Sequence, residues 1–220
     1  SWESSSVYYW IFNQEVNKSL GGALSCQSLM YSVDFEEIAT LQHIGDWDKL
    51  GEIMVGAAQR LENGGADFII LCTNTMHKLA DKITAAVKIP LIHIADATAE
   101  VIKSSKIKKV GLLGTKFTME QVFLKGRLIE NHDIETIIPN KEQRETVHQI
   151  IYEELVNGTI TDKSRQAYLE IMDDLIANGA EGIILGCTEI NLLITSNDTE
   201  HKLFDTTDIH AKKAVQLSLN

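Results

Sequence analysis

The chain has 220 residues, of which 44% are hydrophobic and 23% charged, and its formal net charge at pH 7 is −11. This composition is typical of a globular protein, and the length allows one large domain or two small ones. The acidic balance argues against a nucleic-acid partner, and no apolar run reaches the roughly 20 residues that a membrane span requires. Three cysteines without metal-ligand spacing predict free thiols, no metal site and a reducing, cytoplasmic location.

Helical and strand patterns alternate along the chain. In chain order they predict a helix at 2–19 closed by Gly21-Gly22, a strand at 24–33, a helix at 46–63, a strand at 68–72, a helix at 76–87, strands at 90–94 and 109–114, helices at 118–131, 142–157 and 162–177, a strand at 183–186, a helix from about 189, a short strand ending at 204–205 and a helix at 206–219. The pattern predicts an α/β fold in which parallel β-sheets are flanked by helices.

One segment of the chain is repeated. Residues 64–75 read GGADFIILCTNT and residues 178–189 read NGAEGIILGCTE. Their ungapped alignment pairs Thr73 with Cys187, 114 positions further on. We therefore expect two pseudo-symmetric lobes, each of which brings one strand end to a shared cleft. One lobe contributes a hydroxyl to that cleft and the other contributes a thiol.

The repeat also predicts the lobe boundaries. We expect an N-terminal lobe of residues 1–98 and a C-terminal lobe of residues 99–205, with the closing helix 206–220 as a candidate to pack on the first lobe. The strand KVGLLGT at 109–115 has its expected counterpart before residue 1. The sequence therefore predicts that the first strand is missing from this chain and that the natural protein is longer at its N-terminus.

The two strand ends are candidate ligand sites. Ligands of parallel α/β sheets bind outside the carboxyl ends of the strands, and helix N-termini favour anions. A thiol at a helix N-terminus is expected to have a lowered pKa, which predicts a reactive Cys187. Cys26 and Cys72 are expected to be packing residues, because Cys72 is one position from Thr73 and points to the other face of the strand. A β-bulge that returns Cys72 to the site remains an alternative.

The motifs at these strand ends resemble a known family. CTNTMH (72–77), GCTEI (186–190), GLLGTKFTM (111–119) and FDTTDIHA (204–211) are similar to segments of the aspartate/glutamate racemase family, and SWESSSVYY (1–9) resembles the segment after that family's first strand. The resemblance implies two α/β lobes, a homodimer, and cofactor-independent racemisation of acidic amino acids. It also implies one catalytic cysteine from each lobe, on opposite sides of the substrate Cα.

The chain departs from the family pattern at the first catalytic position. The family has Cys-Asn-Thr there, whereas this chain has Thr73 before Asn74-Thr75. Cys187, the second-lobe cysteine, is retained, and in the related racemases that cysteine faces the α-proton of the L-isomer. The resemblance therefore implies that proton removal from L-substrates survives better than removal from D-substrates.

Further residues match positions that contact substrate in the family. Asn74, Thr75 and Thr188 are implied to hold the α-carboxylate and the amine, although helix capping would also explain Thr75. Gln42 lies where relatives often have an arginine for the side-chain carboxylate. Two other candidates, Ser1 and Thr118, begin equivalent helices. Glu189 could accept a proton from the substrate or tune Cys187, and a favourable carboxylate in a first helical turn is the alternative.

Three functions follow from these residues. The leading one is a racemase of aspartate or glutamate that binds a small acidic amino acid and uses no cofactor, since no lysine lies in a recognisable pyridoxal-phosphate motif. The second is a single-cysteine decarboxylase or isomerase of dicarboxylic acids from the same superfamily. The third is a dicarboxylate-binding protein without catalytic activity.

Overall fold

A computed structural model describes residues 2–219 of the chain. The helices are α1 (Trp2–Leu20), α2 (Phe35–Ile44), α3 (Trp47–Asn63), α4 (Ala80–Ala86), α5 (Ile94–Ser104), α6 (Lys116–Glu120), α7 (Val122–His132), α8 (Lys141–Gln149), α9 (Asp162–Ala177), α10 (Ile190–Leu193) and α11 (Thr206–Ser218). The strands are β1 (Ile69–Ile70), β2 (Leu91–Ile92), β3 (Lys109–Leu113), β4 (Glu135–Ile137), β5 (Ile183–Leu185) and β6 (Leu203–Asp205). A 3-10 turn (Thr75–Leu79) precedes α4, and α8 continues through a π turn (Ile150–Glu154) into a 3-10 turn (Leu155–Asn157).

The strands form two parallel sheets. In the first, β1 pairs with β2, and Ile69 lies opposite Leu91. In the second, the order is β4-β3-β5-β6, and Gly111 of β3 lies opposite Ile183 of β5. Helices follow most strands in the chain, as parallel pairing requires. The predicted α/β fold with two parallel sheets flanked by helices is confirmed.

Internal contacts divide the chain into two compact units. The first comprises the described residues up to Cys72, Met76–His93 and those from Ala211 onward, and the second comprises Thr73–Thr75 and Ile94–His210. The first unit packs α2, α3 and α4 around Leu50 and Ile83. The second has a larger core, centred on the strands β3 and β5. The lobe boundary predicted at residue 98 stays a prediction.

The repeat found in the sequence extends through the secondary structure. Strand β1 begins at Ile69 and β5 at Ile183, and α1 begins at Trp2 and α6 at Lys116, so both pairs are 114 positions apart. The turns before the two strands also match, because Gly65 and Gly179 have φ of 89° and 93°, a left-handed conformation that glycine adopts without strain. The repeat is therefore one of backbone structure as well as of residue type.

The structure corrects several predicted elements. Residues 24–33 do not form a strand, and α2 lies in a stretch for which no helix was predicted. Within residues 2–219, no strand pairs with residues 24–33. Strand β4, which was not predicted, lies at the edge of the second sheet and pairs with β3. The predicted helix 118–131 is divided at Gln121, whose ψ of 158° is extended. No helix in the described part of the chain is long and apolar enough to cross a membrane.

Candidate active site

The candidate site lies in the second unit, where β5 ends. Gly186 follows the strand and leaves no room for a side chain, because a Cβ there would lie 2.8 Å from the carbonyl oxygen of Leu113 in β3. Gly114, after β3, is also tightly surrounded, since its Cβ would lie 3.1 Å from the Gly186 carbonyl oxygen and 3.2 Å from Thr118 Cβ. The two glycines let the strand ends and the start of α6 approach closely. Cys187 is thereby held directly beyond the sheet edge.

Cys187, Thr188 and Glu189 form a hydrogen-bonded group between β5 and α10. Cys187 Sγ donates to Glu189 Oε2 at 2.9 Å, and Thr188 Oγ1 donates to the same oxygen at 2.6 Å. All three side chains are half-buried. A thiol that donates to a carboxylate is protonated, so the resting group consists of a neutral thiol beside an anion.

The lowered pKa predicted for Cys187 is wrong. Burial raises the pKa of the thiol well above its ordinary value, and the charge of Glu189 together with the hydrogen bond to it raises the pKa further. A backbone hydrogen bond from Glu189 opposes this shift but does not offset it. The helix that was expected to lower the pKa is α10, which has only four residues.

The pKa of Glu189 is shifted in the opposite direction, to below its ordinary value. Burial alone would raise the pKa of this carboxyl, but the hydrogen bonds from Cys187 and Thr188 outweigh burial and hold the pKa below its usual value. Burial raises the pKa values of the nearby Tyr152 and Tyr168, and ionisation of Cys187 would raise them further. The thiol and the carboxylate therefore form a coupled acid–base pair.

Asn74 is fixed at the end of β5 by a chain of hydrogen bonds. Its Nδ2 donates to Thr206 Oγ1 at 2.9 Å, and Thr206 Oγ1 donates to the carbonyl oxygen of Leu185 at 2.9 Å. Asn74 is 4% exposed, and within residues 2–219 its Oδ1 has no hydrogen-bond partner. An unpaired buried amide oxygen is costly, by about 1–3 kcal/mol, and a ligand N–H would satisfy it.

Three buried hydroxyls lie beside the two glycines. Thr118 Oγ1 is 3.3 Å from Thr75 Oγ1 and 3.3 Å from Thr115 Oγ1. The side chain of Thr115 also accepts the Thr118 backbone N–H as the N-cap of α6. Each of these hydroxyls can rotate to donate or to accept a hydrogen bond, so the three together could donate to a bound carboxylate.

The structure brings together six of the predicted site residues: Asn74, Thr75, Thr118, Cys187, Thr188 and Glu189. Thr73 belongs to the same unit and is half-buried. Gln42 lies in the first unit, where it is 7% exposed and its Nε2 donates to Met76 Sδ at 3.1 Å. Ser1 lies outside the described residues. The roles predicted for these residues in substrate binding stay predictions.

Cys72, the alternative cysteine, lies in the first unit. It follows the end of β1 and packs against the cluster of Tyr8, Ile11 and Ala211. Burial raises the pKa of this thiol to about 12. Of Cys72 and Cys187, only Cys187 has a thiol that is hydrogen-bonded to a carboxylate among these described site residues.

Sequence reasoning missed two residues of this region. Thr206 and Thr115 lie in the segments FDTT and GLLGT, whose position just after strands β6 and β3 was the available signal. In the described part of the chain, no group of three histidine, cysteine, aspartate or glutamate side chains is arranged to hold a metal ion.

A sequence model of one protein family matches nearly the whole chain. The model describes the Asp/Glu/Hydantoin racemases and matches residues 1–214. The chain belongs to the Asp/Glu/Hydantoin racemase family. Solved structures agree: a proposed Asp/Glu racemase from Yersinia pestis is 51% identical, with a TM-score of 0.94 over 100% of this chain and 96% of the other.

More distant members of the racemase family are also similar. An aspartate racemase homologue from Pyrococcus horikoshii OT3 is 33% identical, with a TM-score of 0.84 over 99% of this chain and 95% of the other. The broad specificity amino-acid racemase RacX of Bacillus subtilis (strain 168) is 26% identical over 79% of this chain and 74% of its own length. The chain spans about half the length of the curated glutamate racemases that it matches.

Proposed function

We propose that this protein is a cofactor-independent racemase of aspartate or glutamate in which Cys187 transfers the α-proton. The observation that carries the proposal is the 2.9 Å hydrogen bond from the Cys187 thiol to Glu189. It supports a reaction in which Glu189 takes the thiol proton and the thiolate then removes the proton from Cα. The electron pair of the broken C–H bond is left on Cα and is delocalised into the substrate carboxylate. The Thr73 hydroxyl then protonates the opposite face of Cα and regains its proton from water, and Glu189 returns its proton to solvent.

The surrounding groups support the binding of an amino acid. Asn74 Oδ1 is an acceptor, so it suits a substrate ammonium group and repels a carboxylate. The hydroxyls of Thr75 and Thr118 and the N–H groups beside Cys187 suit the α-carboxylate, whose charge increases as the carbanion forms. We propose that Gln42 holds the side-chain carboxylate, and that the protein is a cytoplasmic homodimer.

Thr73 makes the proposed reaction asymmetric. Its hydroxyl is a weak acid and, as a neutral group, a poor base. The protein should therefore exchange the α-proton of L-substrates faster than that of D-substrates. Because the two enantiomers are equally stable in water, the asymmetry affects the rates and leaves the equilibrium at one to one.

A second function is favoured by the protonation state of Cys187. A thiol with a raised pKa is ready to donate a proton before it accepts one. Such a group suits a decarboxylase of malonate-type acids, in which loss of carbon dioxide leaves a carbanion that the thiol protonates. This reaction needs a single thiol and no second acid on the opposite face.

One experiment separates these functions. The protein is incubated in deuterium oxide with each enantiomer of aspartate and glutamate, and separately with malonate-type acids, and is followed by proton NMR. We expect the α-proton signal of an L-substrate to disappear at least ten times faster than that of its D-enantiomer. Carbon dioxide release from the malonates without exchange would favour the decarboxylase, and thermal stabilisation without turnover would favour a binding protein.

A further inference from the structure

Thr206 lies at the junction of β6 and α11 and forms hydrogen bonds to two other segments of the second unit. It is the first residue of α11, directly after β6, and is 1% exposed. Its Oγ1 is 2.9 Å from the carbonyl oxygen of Leu185, at the end of β5, and 2.9 Å from Nδ2 of Asn74. The hydroxyl therefore connects Asn74 to the strand that leads into Cys187, which is two residues after Leu185.

The hydrogen-bonding capacity of the Thr206 hydroxyl fixes the orientation of the Asn74 amide. A hydroxyl has one proton to donate and can also accept, whereas a carbonyl oxygen can only accept. The Thr206 proton is therefore committed to the Leu185 oxygen, and the Asn74 atom that faces Thr206 must be a donor. That atom is Nδ2, since Oδ1 has no proton. A flipped Asn74 amide would place two acceptor oxygens 2.9 Å apart with no proton between them.

This orientation determines which amide atom of Asn74 remains for a ligand. With Nδ2 bonded to Thr206, the remaining atom is Oδ1, which is buried and has no hydrogen-bond partner within residues 2–219. Because Oδ1 can only accept, it favours a ligand N–H group and disfavours a carboxylate. A buried acceptor also has no solvent to replace a missing donor, so the difference between ligands with and without an N–H group is larger than it would be in water.

We propose that Thr206 is a positioning residue that holds the Asn74 amide with Oδ1 toward the bound ligand and thereby makes the site selective for ligands with an amino group. The inference rests on the proposed function, in which Asn74 accepts a hydrogen bond from the substrate ammonium group. It assigns the preference for amino acids over dicarboxylic acids without an amine to a residue that acts through Asn74 and does not contact the substrate.

Binding of two matched ligand pairs tests the inference and does not depend on turnover. L-Aspartate is compared with succinate, and L-glutamate with glutarate, because within each pair only the amino group differs. Calorimetry gives the dissociation constants for wild type and for Thr206→Val, which removes the hydroxyl. We expect the amino acids to bind at least about ten times more weakly to Thr206→Val, because the amide no longer presents a fixed acceptor to the ammonium group. The dissociation constants of succinate and glutarate should change by less than about threefold.

Two further variants test whether the effect passes through Asn74. Thr206→Ser keeps the hydroxyl and should restore the preference for the amino acids to within about threefold of wild type. Asn74→Ala removes the acceptor itself and should lose the same preference. Adding Thr206→Val to Asn74→Ala should then weaken amino-acid binding by less than about twofold more, because residues that act through one contact are not additive.

Thr98→Val is the matched control for the loss of a buried hydroxyl. Thr98 is also 1% exposed, and its hydroxyl donates to the carbonyl oxygen of Ile94 at 2.7 Å, within α5. This variant should keep the wild-type preference. An unchanged preference in Thr206→Val, equal weakening of both members of a ligand pair, or no preference for the amino acids in wild type would overturn the inference. The expected binding pattern in a protein that exchanges no α-proton would refute the racemase proposal and leave the role of Thr206 intact.

Discussion

Cys187 is protonated in its resting state, so it can donate a proton before it can accept one. Its pKa is raised by burial and by Glu189, and each unit by which the pKa exceeds the pH reduces the thiolate fraction about tenfold. The neighbouring carboxylate offsets part of this disadvantage, because it can accept the thiol proton over 2.9 Å. In the proposed reaction, the same residue both hinders free ionisation of the thiol and accepts its proton.

Glu189→Gln separates these two effects. Without the carboxylate charge, the pKa of Cys187 should fall, so alkylation by iodoacetamide at pH 7.5 should become at least threefold faster than in wild type. In wild type, alkylation should continue to rise above pH 8.5, because the pKa of the thiol is above its ordinary value. Exchange of the α-proton from L-aspartate should nevertheless slow by about 10²-fold or more, because the proton acceptor is lost.

Thr188→Val is the control for that substitution. It removes the other hydrogen bond to Glu189 Oε2 and leaves the carboxylate in place. Its alkylation rate should change much less than that of Glu189→Gln. Faster alkylation and faster exchange together in Glu189→Gln would contradict the role of Glu189 as a proton acceptor.

Thr73→Cys tests the missing second thiol. A cysteine at this position should provide the acid and base that the hydroxyl cannot, and exchange from D-aspartate or D-glutamate should increase by at least tenfold. Exchange from the L-enantiomers should change little. Initial rates for both enantiomers measure the effect, and a wild-type protein that already exchanges both equally would show that Thr73 is not the missing group.

The residue types of the site could be predicted from the sequence, but their pKa values and hydrogen-bond partners could not. The repeat aligns Thr73 with Cys187 whatever the packing. The raised pKa of Cys187 depends on burial, which only the folded chain creates. The anchoring of Asn74 by Thr206 joins residues 132 positions apart, so no local pattern contains it.

At the scale of elements, the close approach of β3 and β5 depends on glycine. Gly186→Ala would place a Cβ 2.8 Å from the backbone oxygen of Leu113, which cannot move without disturbing β3. We expect the free energy of unfolding to fall by about 1–3 kcal/mol, as in other overpacked interiors. Urea denaturation followed by circular dichroism measures this change.

Gly126→Ala is the comparison. Gly126 lies within α7, and a Cβ there would be 3.6 Å from its nearest neighbour, an ordinary contact. Alanine favours a helix over glycine by about 0.5–1 kcal/mol, so this variant should be slightly more stable than wild type. Equal losses of stability in both variants would show that the approach of β3 and β5 is not the constraint at Gly186.

The long helices were predictable because their ends are marked. Asp46 accepts the Lys49 N–H before α3, and Thr161 accepts the Ser164 N–H before α9. The strand predicted at 24–33 was wrong because strand formation depends on a neighbouring strand, which composition does not reveal. The edge strand β4 has three residues and was missed, because so short a run carries no periodic pattern.

At the scale of the whole molecule, the repeat was the most informative property of the sequence. It predicted the two parallel sheets, since the same strand and helix pattern recurs 114 positions apart. It also directed attention to one strand end in each half, where the residue types differ. Under the proposed function, a repeat in the backbone with a substitution at one of its chemical positions would keep substrate binding while making proton transfer one-sided.

The identity of the reactive cysteine tests the account most directly. Exchange of the α-proton of L-aspartate and L-glutamate in deuterium oxide is measured by proton NMR for wild type, Cys187→Ser and Cys72→Ser. Cys187→Ser should lose at least 10²-fold in rate, because its hydroxyl does not replace the thiolate. Cys72→Ser should retain most of the rate, because that thiol packs against Tyr8 and Ile11. Equal losses in both variants, or a loss only in Cys72→Ser, would contradict the account.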